Sequence, residues 1–160
     1  MVPHNEVEAA KDTVLRLLHY CPRSIKEVSD RLTKKGFSRN AVEKSIAVLK
    51  GAGLLDDLKF AKDWISAKLE KSPRAKAILI EELTHKGIDE SVIQNAFSSF
   101  PEVLDEYAMA KKVLKKRFKE SRGVTSESAI KKLYLYLKRC GFSDEITEKI
   151  LRDTFTIDEF

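Results

Sequence analysis

The residues of this 160-residue chain that could carry catalysis or hold a metal are three histidines, two cysteines and a few neighbouring carboxylates. His4, His19 and His85 are dispersed, with no His-x-x-x-His or His-Glu-x-x-His pair, so the spacing offers no ligand set for a metal. Cys21 and Cys140 lie far apart and outside any Cys-x-x-Cys spacing, and both read as reduced, small apolar residues. Asp56-Asp57 and Glu81-Glu82 suggest acid–base pairs, but neighbours on a helix point about 100° apart and usually serve capping or solvation. There is no Gly-rich phosphate loop and no Gly-x-Ser-x-Gly elbow. Binding rather than catalysis is expected, with no metal and no cofactor.

The chemistry that remains is electrostatic. The chain has 30 basic and 25 acidic residues, a net charge of +5, unevenly spread. Residues 1–55 carry 10 basic and 6 acidic groups, 56–105 carry 7 and 10, and 106–160 carry 13 and 9. The last third holds a basic run, Lys111, Lys112, Lys115, Lys116, Arg117, Lys119 and Arg122, continued by Lys131, Lys132, Lys138 and Arg139. At helical spacing 111, 115, 119 and 122 form one stripe with 112 and 116 beside it, while Val113, Leu114 and Phe118 face inward. Such a stripe is either a solvated helix face or a contact for an anionic surface. The residues expected to make the contact are Lys111, Lys112, Lys115, Lys116, Lys119, Arg122, Lys131, Lys132, Lys138 and Arg139. Tyr107, Tyr134 and Tyr136 are available for stacking, although tyrosines at this spacing are more often half-buried packing.

The elements that position these residues are written in a repeat. Leu32 to Gly36-Phe37, Leu83 to Gly87-Ile88 and Leu137 to Gly141-Phe142 share the pattern Leu-x-x-x-Gly followed by a large apolar residue. Glycine supplies a left-handed helix stop, the next residue packs back, and Ser38, Asp89 and Ser143 follow as N-caps. Apolar residues at helical spacing precede each glycine: Ile25, Val28 and Leu32, then Leu79 and Leu83, then Ile130, Leu133 and Leu137. The first of these helices opens with a capping box, Ser24-x-x-Glu27. Beyond the glycines, Ala41, Val92 and Ile146 match, as do Ile46, Phe97 and Leu151. An earlier helix aligns on Ala10, Ala61 and Ala110, with about five extra residues in the third copy near Glu120 to Thr125.

The expected fold is therefore all-α: three tandem three-helix repeats, 1–55, 56–100 and 101–160, stacked into a short, curved, elongated solenoid. Six glycines and four prolines are too few for a many-stranded sandwich. No apolar run approaches the roughly 18–20 residues that span a bilayer, and the first residues lack a basic head and apolar stretch, so a cytoplasmic location is expected.

The chain resembles the RecX family of bacterial regulators of the RecA recombinase. Arg23-Ser24-x-x-Glu27-Val28-x-x-x-Leu32-x-x-Lys35-Gly36-Phe37 looks like that family's first repeat. Leu54-Leu55-Asp56-Asp57-x-x-Phe60-Ala61 is similar to its inter-repeat signature, and Glu82-Leu83-x-x-Lys86-Gly87-Ile88 and Arg139-Cys140-Gly141-Phe142 resemble its second and third repeats. The resemblance implies a non-enzymatic modulator, expected as a monomer. It would bind the RecA filament of protein and single-stranded DNA and lower ATP turnover and strand exchange. Direct nucleic-acid binding through a helix-turn-helix-like unit is the alternative, with the acidic middle segment weighing against a continuous phosphate track. A purely structural scaffold is the third reading.

Overall fold

The computed structural model describes residues 4–120 and 126–155, without the side chains of 4, 119 and 120. Among the described residues there are nine α-helices and no strand: α1 (His4–Tyr20), α2 (Ile25–Lys34), α3 (Arg39–Gly51), α4 (Asp57–Lys71), α5 (Lys76–His85), α6 (Glu90–Phe97), α7 (Glu106–Glu120), α8 (Glu127–Arg139) and α9 (Asp144–Phe155). Pro101 opens a 3₁₀ turn, Pro101–Leu104, ahead of α7. The helices fall into the expected triplets, each with its glycine between the second and third helix. The five-residue insertion of the third copy falls largely on 121–125, outside the described residues.

The Leu-x-x-x-Gly pattern has a backbone cause. Gly36, Gly87 and Gly141 sit at φ of 88°, 75° and 90°, where a Cβ is disfavoured. Each glycine N–H donates to the carbonyl three residues back, and the N–H of the apolar residue after it donates to the carbonyl of the leucine: Phe37 to Leu32, Ile88 to Leu83 and Phe142 to Leu137, at 3.1–3.3 Å. The leucine thus closes the helix through its carbonyl and anchors the core through its side chain. Leu32, Leu83 and Leu137 are all fully buried, as are Ala10, Ala61 and Ala110. The capping box is present, with Glu27 N–H donating to Ser24 Oγ and Ser24 N–H to Glu27. The matching inward position on the third helices is one residue beyond Ala41, Val92 and Ile146. It holds Val42, Ile93 and Thr147, which are buried, whereas Val92 and Ile146 are only partly covered. Thr147 Oγ1 has no hydrogen-bond partner there.

The chain divides into two compact units, unit 1 being Met1–Asp63 with Leu83–Ala96, and unit 2 Trp64–Glu82 with Phe97–Phe160. In unit 1, α1, α2 and α3 pack on one another around Ala10, Val14, Val28, Leu32, Val42 and Leu49. The turn that ends α5 is seated on the start of α2. Ser24 Oγ donates to the Lys86 carbonyl at 2.6 Å, Lys86 Nζ reaches Glu27 at 2.8 Å, and a Cβ on Gly87 would lie 2.5 Å from Lys26 Cβ. Asp57 accepts from the Ile25 N–H at 2.9 Å, and Asp56 caps α4 through the Lys59 N–H, so that pair of carboxylates serves helix starts.

In unit 2, α7, α8 and α9 pack on one another, and the turn that ends α8 is seated on the start of α5. Here the Ala75 N–H donates to the Cys140 carbonyl at 2.9 Å, and a Cβ on Gly141 would lie 2.3 Å from Ile78 Cγ1. Both cysteines are free, Cys140 buried and Cys21 partly covered. No helix among the described residues is long and apolar enough to cross a membrane, and none of their His, Cys, Asp and Glu side chains form a group of three that could hold a metal.

Candidate functional site

The basic run lies on α7 and α8 of unit 2. Met109, Ala110, Val113 and Leu114 are buried at helical spacing and fix one face of α7, while Phe118 packs its ring 5.7 Å from Phe155. Lys111, Lys112, Lys115, Lys116 and Arg117 are consequently exposed. Ser126 caps α8 by accepting from the Ala129 N–H, and Leu133 and Leu137 turn inward, which leaves Lys131, Lys132 and Arg139 outside. The Lys119 side chain and all of Arg122 lie outside the described residues.

The cations have different roles. Lys138 Nζ donates to the Phe142 carbonyl at 3.1 Å and pairs with Asp144 at 2.9 Å, which ties the glycine turn of its own helix. Lys116 Nζ donates to the Lys71 carbonyl. Lys111, Lys112, Lys115, Lys131, Lys132 and Arg139 form no ion pair with another described residue, and their charge is presented to solvent.

Between α7 and α8 the structure brings Arg117, Lys132 and Arg139 around Tyr136 in a hollow of about 230 Å³. A second hollow of about 120 Å³, lined by Lys71, Pro73 and Lys116, shares Arg117 and Tyr136 with it. The Arg117 guanidinium stands 5.1 Å from the centre of the Tyr136 ring. The sequence run contains Arg117 but gives no reason to single it out, and Lys71 arrives from α4, which spacing along α7 cannot reveal.

The tyrosines are engaged at their hydroxyls or faces. Tyr107 donates to Asp153, and Tyr134 to Asp144 at 2.6 Å, bonds that push both phenols above their ordinary range. The same Tyr134 bond, with Lys138, lowers Asp144. The arrangement is thus suited to holding anions, either phosphates or carboxylates, by charge-assisted hydrogen bonds.

The other acidic pair is engaged as well: Glu82 accepts from Trp64 Nε1 and Lys68 Nζ, at 3.0 and 3.1 Å.

Comparison with known proteins is consistent in direction. The first three-helix domain of RecX matches residues 10–49. The regulatory protein RecX of Chlorobium phaeobacteroides (strain BS1) is 32% identical over 146 residues, which cover 91% of this chain and 93% of that protein. The regulatory protein RecX of Bacillus licheniformis is 33% identical over 150 residues, 94% of this chain but 57% of that protein, so the chain spans little more than half of this longer relative. The crystal structure of RecX from Lactobacillus salivarius superposes with a TM-score of 0.73 over 96% of this chain and 99% of that one, at 19% identity, a likeness of fold. With a relative matched along nearly its whole length and the same three-helix architecture, the chain belongs to the RecX family.

Proposed function

We propose that this chain is a non-enzymatic regulator that binds the RecA nucleoprotein filament and lowers its ATP turnover and strand exchange. Relatives named regulatory protein RecX support the regulatory part. The observation that carries the binding part is the set of solvent-facing cations on α7 and α8, Lys111, Lys112, Lys115, Lys131, Lys132 and Arg139, unpaired with any described carboxylate. A filament presents both acidic protein surface and phosphates, and either would draw this face in by long-range attraction.

The test compares binding to RecA on single-stranded DNA, to bare single-stranded DNA and to free RecA at matched salt. Preference for the filament is the expected result, and equal binding to bare DNA returns the direct nucleic-acid reading, which the hollow around Tyr136 favours. Changing Lys111, Lys112 and Lys115 to Gln should leave melting nearly unchanged, since exposed substitutions usually fall within about ±0.5 kcal/mol. Suppression of DNA-dependent ATP turnover should weaken instead, with the salt slope reduced by about one per lost phosphate contact if DNA is touched. Titrations indistinguishable from wild type would make these three lysines ordinary solvated surface.

A further inference from the structure

Repeats 1 and 2 carry the same arginine, Arg23 and Arg74, each following a proline and each thirteen residues ahead of its glycine. Their surroundings differ. Arg74 Nε has a carboxylate at 3.9 Å, Glu82 Oε1, and that carboxylate is also held by the Trp64 indole N–H and the Lys68 ammonium. In repeat 2 an acid on α5 therefore sits inside a nest of donors. Glu82 stands five residues ahead of Gly87, and five residues ahead of Gly36 stands Arg31. Lys68 lies seven residues after Ala61, and Leu17 lies seven after Ala10. Repeat 1 keeps the arginine, loses the acid and gains a second arginine in its place.

The corresponding place in unit 1 is a hollow of about 390 Å³ lined by Leu17, Arg23, Glu27, Asp30, Arg31 and Lys34. Its two carboxylates are committed, Glu27 to Lys86 and to the Ser24 N–H, Asp30 to Lys26. The Nε atoms of Arg23 and Arg74 are both buried without a hydrogen-bond partner, Glu82 standing 3.9 Å from the second, so what separates the two places is the acid at 82 against the arginine at 31 and not the state of Nε. Arg23, Arg31 and Lys34 thus outnumber the carboxylates of one hollow, where Glu27 feels the Arg23 charge but spends its hydrogen bonds on Lys86 and Ser24, so that an incoming acid meets donors not yet used.

We infer that this hollow binds a carboxylate side chain from an acidic protein segment, which takes the place Glu82 holds in repeat 2. The planar guanidinium of Arg23 matches a carboxylate fork, and Leu17 offers an apolar wall for the aliphatic stem of a glutamate. A phosphodiester carries the same single negative charge as a carboxylate, so the choice of a protein acid rests on the Glu82 parallel and the Leu17 wall, and the oligothymidylate arm of the test separates the two. The site does not depend on the RecA reading, and it shares no residue with the α7 and α8 cations.

The experiment uses the full chain with three probes: a fluorescent glutamate-rich dodecapeptide, its glutamine counterpart and oligothymidylate of the same length. Fluorescence anisotropy reads affinity, and the arginine Nε–Hε resonance of Arg23 reports occupancy. The glutamate peptide should bind, the glutamine peptide should not, and the Arg23 signal should shift. Arg31→Glu supplies the acid from within, so it should lower acidic-peptide affinity at least about tenfold. It should also shift the Arg23 signal as the peptide does, without lowering the melting temperature. Should that variant fail to fold, Arg31→Gln with Lys34→Gln should still weaken the acidic peptide while Lys111→Gln with Lys115→Gln leaves it unchanged. Equal binding of both peptides, an unmoved Arg23 resonance, or oligothymidylate binding more tightly and being lost with Arg31→Glu would overturn the assignment.

Discussion

In unit 1 the start of α2 receives the Gly87 turn, and in unit 2 the start of α5 receives the Gly141 turn. The two seatings share a backbone relation, in which the residue twelve before one repeat's glycine donates to the carbonyl just before the next repeat's glycine. The donors differ: a hydroxyl in Ser24 and a main-chain N–H in Ala75. So do the surroundings, with a Lys86–Glu27 ion pair at the first and Ile78 and Ala75 against the glycine at the second. What the repeat preserves is thus a satisfied carbonyl and a bare glycine face, not a side chain. Gly36, the first of the series, has nothing within 4 Å of the place its Cβ would occupy. Its conformation is demanded by the turn alone.

The largest expected effects test what the two seatings have in common. Leu32→Ala, Leu83→Ala and Leu137→Ala should each cost about 2–5 kcal/mol in urea unfolding, since all three leucines are fully buried and a cavity is left behind. One of them falling below about 1 kcal/mol would break the equivalence of the repeats. Glycine substitution separates the turns. Gly36→Ala should cost only the left-handed strain, about 1–2 kcal/mol. Gly141→Ala adds a collision with Ile78 and should reach about 2–5 kcal/mol, with Gly87→Ala close behind because Lys26 Cβ and not only its flexible end is in the way. Equal costs at Gly36 and Gly141 would show the close approach in unit 2 to be readily relaxed.

Ser24→Ala isolates the chemical difference between the seatings. It removes the hydroxyl that caps α2 and leaves the Lys86 carbonyl without that donor, for an expected loss of about 1–3 kcal/mol. The alanine at position 75 shows that the same locus tolerates a methyl group when the main-chain N–H makes the bond. A neutral Ser24→Ala would mean that the Ser24 N–H or a water takes over as donor to Lys86.

Much of this was legible in the residues, and the reasons for the rest are physical. The glycine stops, the capping box and the buried leucines are local, because turn geometry and helix caps are set by residues within five positions of one another. Exposure of Lys111, Lys112 and Lys115 followed from helical spacing for the same reason. The Ser24–Lys86 bond was not legible, since a hydroxyl donating to a main-chain carbonyl 62 residues away leaves no trace in residue type. Lys138 looked like part of the contact surface, yet it ties its own turn through Phe142 and Asp144, a role decided by where the turn folds back. Arg31 shows the opposite case. Its meaning lies in the contrast with Glu82 at the matching position, and that contrast acquires content only once Arg74 and Glu82 are seen together.

The smallest effect, and the sharpest for the comparison, is on pH dependence. Burial opposes ionisation of Glu27, but the Lys86 ammonium, the Ser24 N–H and Arg23 together outweigh it and hold the carboxyl below its ordinary value of 4.5. Unfolding therefore takes up a proton as acid is added, so Glu27 contributes stability above that value that is lost as pH falls through its lowered pKa. Asp57 has the opposite sign. Burial raises it above 3.8, against the Ile25 N–H bond and with the help of Asp89, so its contribution declines as pH rises through that window. Glu27→Gln should then flatten the acid-side fall in unfolding free energy, while Asp57→Asn should steepen it. The bonds that seat the turn in unit 2 are main-chain and apolar and carry no carboxylate of their own. Protection of the Ala75 amide against hydrogen exchange, corrected for intrinsic rate, should hold on acidification while that of Glu27 and Val28, in the capping box, declines. Parallel loss at Ala75 and Val28 would show that the two seatings open as one, and would remove the chemical distinction between them.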